Sequence, residues 1–163
     1  MMRRQRGATL IELVMSIVII SLAIAGVTSA FALLAGRSAD PLDQTRAVAL
    51  AQLYMDEILA KAFDHNTPPG GVPPYSGPCT IGPESGETRA TYNDVDDYDA
   101  IDNEVPSTPL GPLSGYEGFR VSITVSCAGG DLGLPVAEAK RIELSVDTPG
   151  GQNFAFAAYR VNF

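Results

Sequence analysis

The sequence predicts an α+β fold: a long N-terminal membrane-spanning helix packed on a C-terminal antiparallel sheet of three to four strands. Three observations carry this. Leu13 to Ala35 runs 23 residues without a charge, apolar positions over 41–63 recur at three and four residues, and three stretches after residue 118 alternate with period two. At 163 residues the chain is long enough for one body of ordinary size.

The first element is of transmembrane length. As a helix the uncharged run would measure about 35 Å, against a hydrocarbon core about 30 Å thick. Arg3, Arg4 and Arg6 precede it, so the positive-inside bias holds the short N-terminus in the cytoplasm and sends the remainder across. Three readings fit such a segment: an uncut anchor, a secretory signal peptide cut after small residues near Thr28 and Ala30, and a membrane helix with a specialised processing site. Glu12 bears on the choice. A carboxylate between Ile11 and Leu13 is costly in a bilayer and has no use in a plain anchor or signal peptide, which makes it a functional residue in search of a partner.

Asp40-Pro41 next supplies an N-cap acceptor and a proline suited to the first helical position, with Asp43 in the first turn. Ala47, Val48, Ala51, Tyr54, Met55, Ile58, Leu59 and Ala62 then form an apolar stripe, expected to cover a sheet. A bend is expected over Gly36 to Pro41. Residues 64–117 change character: they hold nine of the twelve prolines, and ten Asp or Glu against one Arg, Arg89. This predicts a loop region. Strand patterns return at Phe119 to Cys127, Arg141 to Val146 and Phe154 to Phe163, the last two joined by a Pro149-Gly150-Gly151 turn.

Composition excludes several functions. Lys and Arg total 11 against 19 Asp and Glu, a net charge of -8, and without the three leading arginines the balance is 8 minus 19, or -11. Such a body repels phosphate backbones, so no nucleic-acid partner is expected. The single histidine, His65, lies in a polar Asp-His-Asn-Thr turn and reads as structural. No phosphate-binding loop, CxxC pair or HExxH helix occurs, and neither catalysis nor a cofactor is expected. Asp94, Asp96, Asp97 and Asp99 are the nearest approach to a metal site. They lack the glycine and distal glutamate of an EF-hand, so a solvated acidic loop is expected, with Asp94, Asp96 and Asp99 as weak calcium candidates.

The stretch from Arg6 through Gly7-Ala8-Thr9-Leu10-Ile11-Glu12 to Val14, behind a short basic leader, resembles the signal of type IV pilins and type II secretion pseudopilins. The resemblance implies that a prepilin peptidase cuts between Gly7 and Ala8 and that the new Ala8 amine is methylated. Ala8 stands where phenylalanine is commonest in the family. Glu12 becomes the fifth residue of the mature chain and would set assembly register by pairing with the Ala8 amine of a neighbouring subunit. Residues 1–7 are then a leader, 8–35 a transmembrane and filament-core helix, and 36–163 a periplasmic body with helix 41–63, acidic loop 64–117 and sheet 118–163. Cys79 and Cys127 suit that oxidising compartment, and a bridge between them is expected, the alternative being two separate thiols.

Two further stretches, Asp40 to Ala47 continuing at Met55 to Asp64, and Gly86-Glu87-Thr88-Arg89 followed by Asp94-Val95-Asp96-Asp97-Tyr98, resemble the MshD-type minor pilins of mannose-sensitive haemagglutinin (MSHA) pili. The resemblance implies a low-abundance filament subunit for surface attachment, starting in the bacterial inner membrane and ending in the pilus. Its partners would be prepilin peptidase, other pilin subunits, the inner-membrane assembly machinery and membrane lipid. A minor pseudopilin of a type II secretion system is the alternative.

Overall fold

The computed structural model describes residues 9–37 and 40–163, without the side chains of 33–37 and 40. It divides into two units, residues 1–41 and 42–163.

The first unit holds α1, Leu10–Arg37. Its 28 residues rise about 42 Å, and Leu10–Ala32 is long and apolar enough to cross a membrane. Its hydroxyls make no demand on solvent. Ser16, Ser21, Thr28 and Ser29 each donate back to the carbonyl four residues earlier, at 2.7, 2.8, 2.9 and 2.8 Å. A helix bound for an apolar medium must satisfy its polar groups within itself, and these residues do so. The bend expected over Gly36 to Pro41 spans residues 38–39, outside the described residues.

The second unit is built on α2, Asp40–Leu59, from its third residue onward. The apolar repeat anticipates a helix through residue 63, but the chain leaves it four residues sooner. Ala62 pairs as a strand would, its N–H donating to Asn93 O at 3.3 Å and its carbonyl accepting from Val95 N at 3.1 Å. Lys61 Nζ adds a bond to Tyr92 O at 2.6 Å. These contacts trade the last helical turn for a seam between the end of α2 and the acidic loop.

Two short strands, β1 (Ser107–Thr108) and β2 (Gly111–Pro112), form a hairpin in the loop region. The main sheet has β3 (Arg120–Cys127), β4 (Ala139–Asp147) and β5 (Asn153–Val161), antiparallel in the order β3-β4-β5. Register aligns the apolar residues across strands: Val121 faces Val146, Ile123 faces Leu144 and Val125 faces Ile142, while Leu144 and Val146 meet Phe156 and Phe154 on β5. Because side chains alternate faces, this places one apolar surface toward the core. Ala47, Leu50, Ala51, Tyr54 and Ile58 of α2 pack on it. The turn between β4 and β5 is closed by Thr148 N donating to Gln152 O at 2.8 Å, with Gly151 at φ 78°.

The loop region is part of this core, not a fringe on it. Val95, Tyr98 and Ile101 are buried with the helix and sheet residues. The chain from 99 to 104 covers the open edge of β3: Ile123 N donates to Ile101 O at 2.8 Å, and Glu104 and Val121 exchange two backbone bonds. An uncovered edge strand would be a template for wrong pairing.

Candidate functional site

Glu12 lies in the first turn of α1, exposed in the isolated chain. Its N–H faces Thr9 Oγ1 at 3.4 Å and its Oε2 faces Thr9 N at 3.5 Å, a long-bonded capping box in which Thr9 is the cap. The carboxylate thus sits beside the first free N–H groups of the helix, where negative charge is favoured. Gly7 and Ala8 lie outside the described residues. From Leu10 to Phe31 the large apolar side chains of α1 stand exposed, Ile11 at 69% and Phe31 at 68%, a surface that requires lipid or other helices around it.

The acidic loop differs from expectation. Asp94, Asp96 and Asp97 are buried, so the solvated-loop reading is overturned. Each has a distinct task. Asp94 Oδ1 accepts from Asp96 N at 3.0 Å and Asp97 N at 3.3 Å, while Asp97 Oδ2 accepts from Asn93 N at 2.7 Å and Asp94 N at 3.1 Å, closing a tight turn. Asp96 is ion-paired with Lys140, which is itself wholly buried on β4, bonds Phe63 O at 2.8 Å and lies 3.5 Å from Asp64. Asp99 Oδ1 accepts from Val125 N at 2.8 Å and so satisfies the β3 edge. The weak calcium candidates Asp94, Asp96 and Asp99 are therefore not brought together as one ligand set. Asp96 has a cation already, and Asp99 serves a strand.

A different set converges. One carboxylate oxygen from each of Glu84, Asp94 and Asp97 lies within 4.8 Å of the other two, and His65, Glu84 and Glu87 form a second such group. Burial and the charges of Asp96 and Asp97 push Asp94 up to about 8; burial and Glu87 push Asp97 up despite its backbone donors. His65 is held in this group, with Asn93 Nδ2 at 3.1 Å from its Nδ1. Glu84 and Lys140 carry no signal in the sequence, being 56 positions apart with no motif to link them, and Glu87 enters there only within the Gly86-to-Arg89 stretch.

Cys79 and Cys127 form a disulfide with Cα atoms 6.2 Å apart, tying the loop region to the end of β3.

Residues 2–28 match the prokaryotic N-terminal methylation motif, which covers the basic leader and most of the apolar helix. The chain therefore carries the prepilin signal of type IV pilin-like proteins and pseudopilins, and a motif of this class implies processing by prepilin peptidase and assembly with other pilins. No curated protein and no solved structure matches the chain.

Proposed function

We propose that this chain is a minor pilin of an MSHA-type type IV pilus, cut between Gly7 and Ala8, methylated at Ala8, and built into a filament that serves surface attachment. The observation that carries this reading is the methylation motif on residues 2–28 together with a carboxylate, Glu12, inside a helix whose large apolar side chains stand exposed from Leu10 to Phe31. Cleavage removes Arg3, Arg4 and Arg6, and with them the charges that would hold the N-terminus in the cytoplasm. It also makes a positive amine at Ala8. In a filament that amine can pair with Glu12 of the neighbouring subunit, giving the buried carboxylate the partner it needs. The body, residues 36–163, lies in the periplasm before export and has no catalytic role. Inner-membrane lipid, the pilus assembly machinery and other pilins are its partners.

Intact mass of the protein from membranes of cells with and without prepilin peptidase tests the processing. A chain starting at Ala8, one methyl heavier, and seen only with the peptidase supports it; an uncut chain overturns it. Deletion then tests the filament: loss of surface pili with intact protein secretion supports the pilus reading, and the reverse makes the chain a type II secretion pseudopilin.

A further inference from the structure

We propose that Lys140 and Asp96 condense to a covalent amide between Lys140 Nζ and Asp96 Cγ, a cross-link the chain makes within itself, with Asp64 and Asp94 moving the protons. The ion pair described above is the state before that bond forms. Nucleophile and acyl group are already in contact, and both are shut off from water, Lys140 at 0% exposure and Asp96 at 1%. A lysine is a nucleophile only as the free amine. Moving one proton across the contact turns the ion pair into an amine beside a carboxylic acid, and removal from water favours that uncharged pair.

The surroundings hold the amine in an attacking pose. Nζ has three partners for its three hydrogens: the Phe63 carbonyl at 2.8 Å, Asp64 Oδ2 at 3.5 Å and Asp96 Oδ1. The first two keep their hydrogens when the third is given up, so the lone pair left behind faces Asp96. The Phe63 ring, 4.8 Å from Nζ, is apolar cover over the same nitrogen. Asp96 is held in turn, its N–H donating to Asp94 Oδ1 at 3.0 Å. Reactants kept in contact this way react as an intramolecular pair, which removes the entropic part of the barrier.

Asp94 supplies the acid. Burial and the charge of Asp96 push it up to about 8, so at neutral pH it carries a proton. Its Oδ1 accepts two backbone N–H groups, which leaves the proton to Oδ2, the oxygen that meets no donor among the described residues. Asp94 and Asp96 share a side-chain hydrogen bond, so this proton lies against the carboxyl that has to lose an oxygen. The step balances. The Nζ lone pair forms the bond to Cγ, Asp64 takes the proton that the nitrogen sheds, and the C–O bond of Asp96 breaks with its electron pair on the oxygen. That hydroxyl takes the Asp94 proton and leaves as water, which relays the Asp64 proton back to Asp94. Ammonium and carboxylate become amide and one water, with no activating cofactor. The amide ties the acidic loop to β4 across 44 residues, beside the disulfide that ties the loop region to β3, and unlike the disulfide it is indifferent to reductant.

Mass spectrometry of the full chain, extracted from membranes, denatured and reduced, tests this. The expected mass is lower by one water than the sequence of that chain requires, and digestion should yield a branched peptide joining the segments around Asp96 and Lys140. A wild-type chain without the loss holds a lasting ion pair and overturns the proposal. So does a loss without a branch, as a succinimide would give, or a branch at Asp64. Lys140→Arg keeps the charge but never presents a free amine, and it should show no loss; a loss retained there places the reaction elsewhere and overturns the assignment. Asp94→Asn keeps an acceptor for the two backbone N–H groups and brings no acid proton, so in freshly made chain that still melts cooperatively the condensed fraction should fall at least about tenfold. Condensation at the wild-type level in that variant overturns the role of Asp94.

Discussion

Arg89 and Glu57 form a two-bonded ion pair across the body, Nη1 to Oε1 at 2.5 Å and Nη2 to Oε2 at 2.7 Å. It joins α2 to the loop region. Tyr98 Oη donates to the same Glu57 Oε1 at 2.6 Å, and the guanidinium stands 4.9, 5.6 and 5.8 Å from the rings of Tyr98, Tyr54 and Tyr92. Both ionic side chains are more than four-fifths buried, so removal of one leaves the other without its partner. Arg89→Ala should cost about 2–4 kcal/mol in urea unfolding. Arg89→Lys should restore little of it, since a lysine cannot make the planar two-point contact.

The same pair predicts a pH dependence. Burial pushes the Glu57 carboxyl up, but hydrogen bonds from Arg89 and Tyr98 and the charges of Arg89 and Lys61 outweigh it and hold the group below its ordinary 4.5. A folded-state value below the unfolded one gives stability that is full above the unfolded value and is lost as pH falls through the folded one. The melting-temperature advantage of wild type over Glu57→Gln should therefore be constant from pH 7 down to about 5 and shrink below 4.5. An advantage that grows on acidification would contradict the pairing.

The parts of this architecture legible in the sequence are those where local pattern and tertiary role coincide. Alternation in β3 to β5 marks the face that meets α2, and the uncharged run of α1 marks a helix that needs an apolar medium. The Pro149-Gly150-Gly151 turn is where a chain reversal has to be. The acidic loop was opaque for a physical reason. Its charge density argues for solvation, yet Lys140 reaches it from β4, 44 residues away, and backbone N–H groups from a tight turn absorb the rest. Such compensation is made by contacts between distant segments, and no residue spacing encodes it.

Lys140 is the test of that compensation. Its ammonium is wholly buried between Asp96, Asp64 and the Phe63 carbonyl, and it stands over the Phe63 ring at 4.8 Å. Lys140→Met keeps the stem and removes the charge, leaving buried carboxylates unmatched. A loss of about 3–5 kcal/mol is expected by denaturant titration. Pairing Lys140→Met with Asp96→Asn should recover part of it, which a loss due to packing alone would not show.

The disulfide supplies a separate contribution. Cys79 and Cys127 are 48 residues apart in sequence, and closing a loop of that length in the unfolded chain is worth about 3–4 kcal/mol on chain-entropy grounds. The Cys79→Ser, Cys127→Ser double variant should lose about that much, with dithiothreitol lowering wild type to the same level and leaving the variant unchanged.

Glu12→Ala separates processing from assembly. In the proposed processing the bond from Gly7 to Ala8 is cut, four residues before Glu12, so removal of the carboxylate should leave the mature mass at an Ala8 start. In the proposed filament the change takes the partner from the Ala8 amine of a neighbour and so exposes a lone positive charge to an apolar core, an unfavourable exchange of several kcal/mol per subunit at its upper end. Helix α1 itself should still form in the membrane, because the capping box lost with Glu12 is long-bonded and Thr9 Oγ1 can still receive an N–H from residue 12. The expected outcome is full cleavage with reduced recovery of the variant in sheared pili relative to the membrane fraction. Recovery equal to wild type would mean that Glu12 sets no register, and that exposed apolar side chains along α1 suffice for assembly.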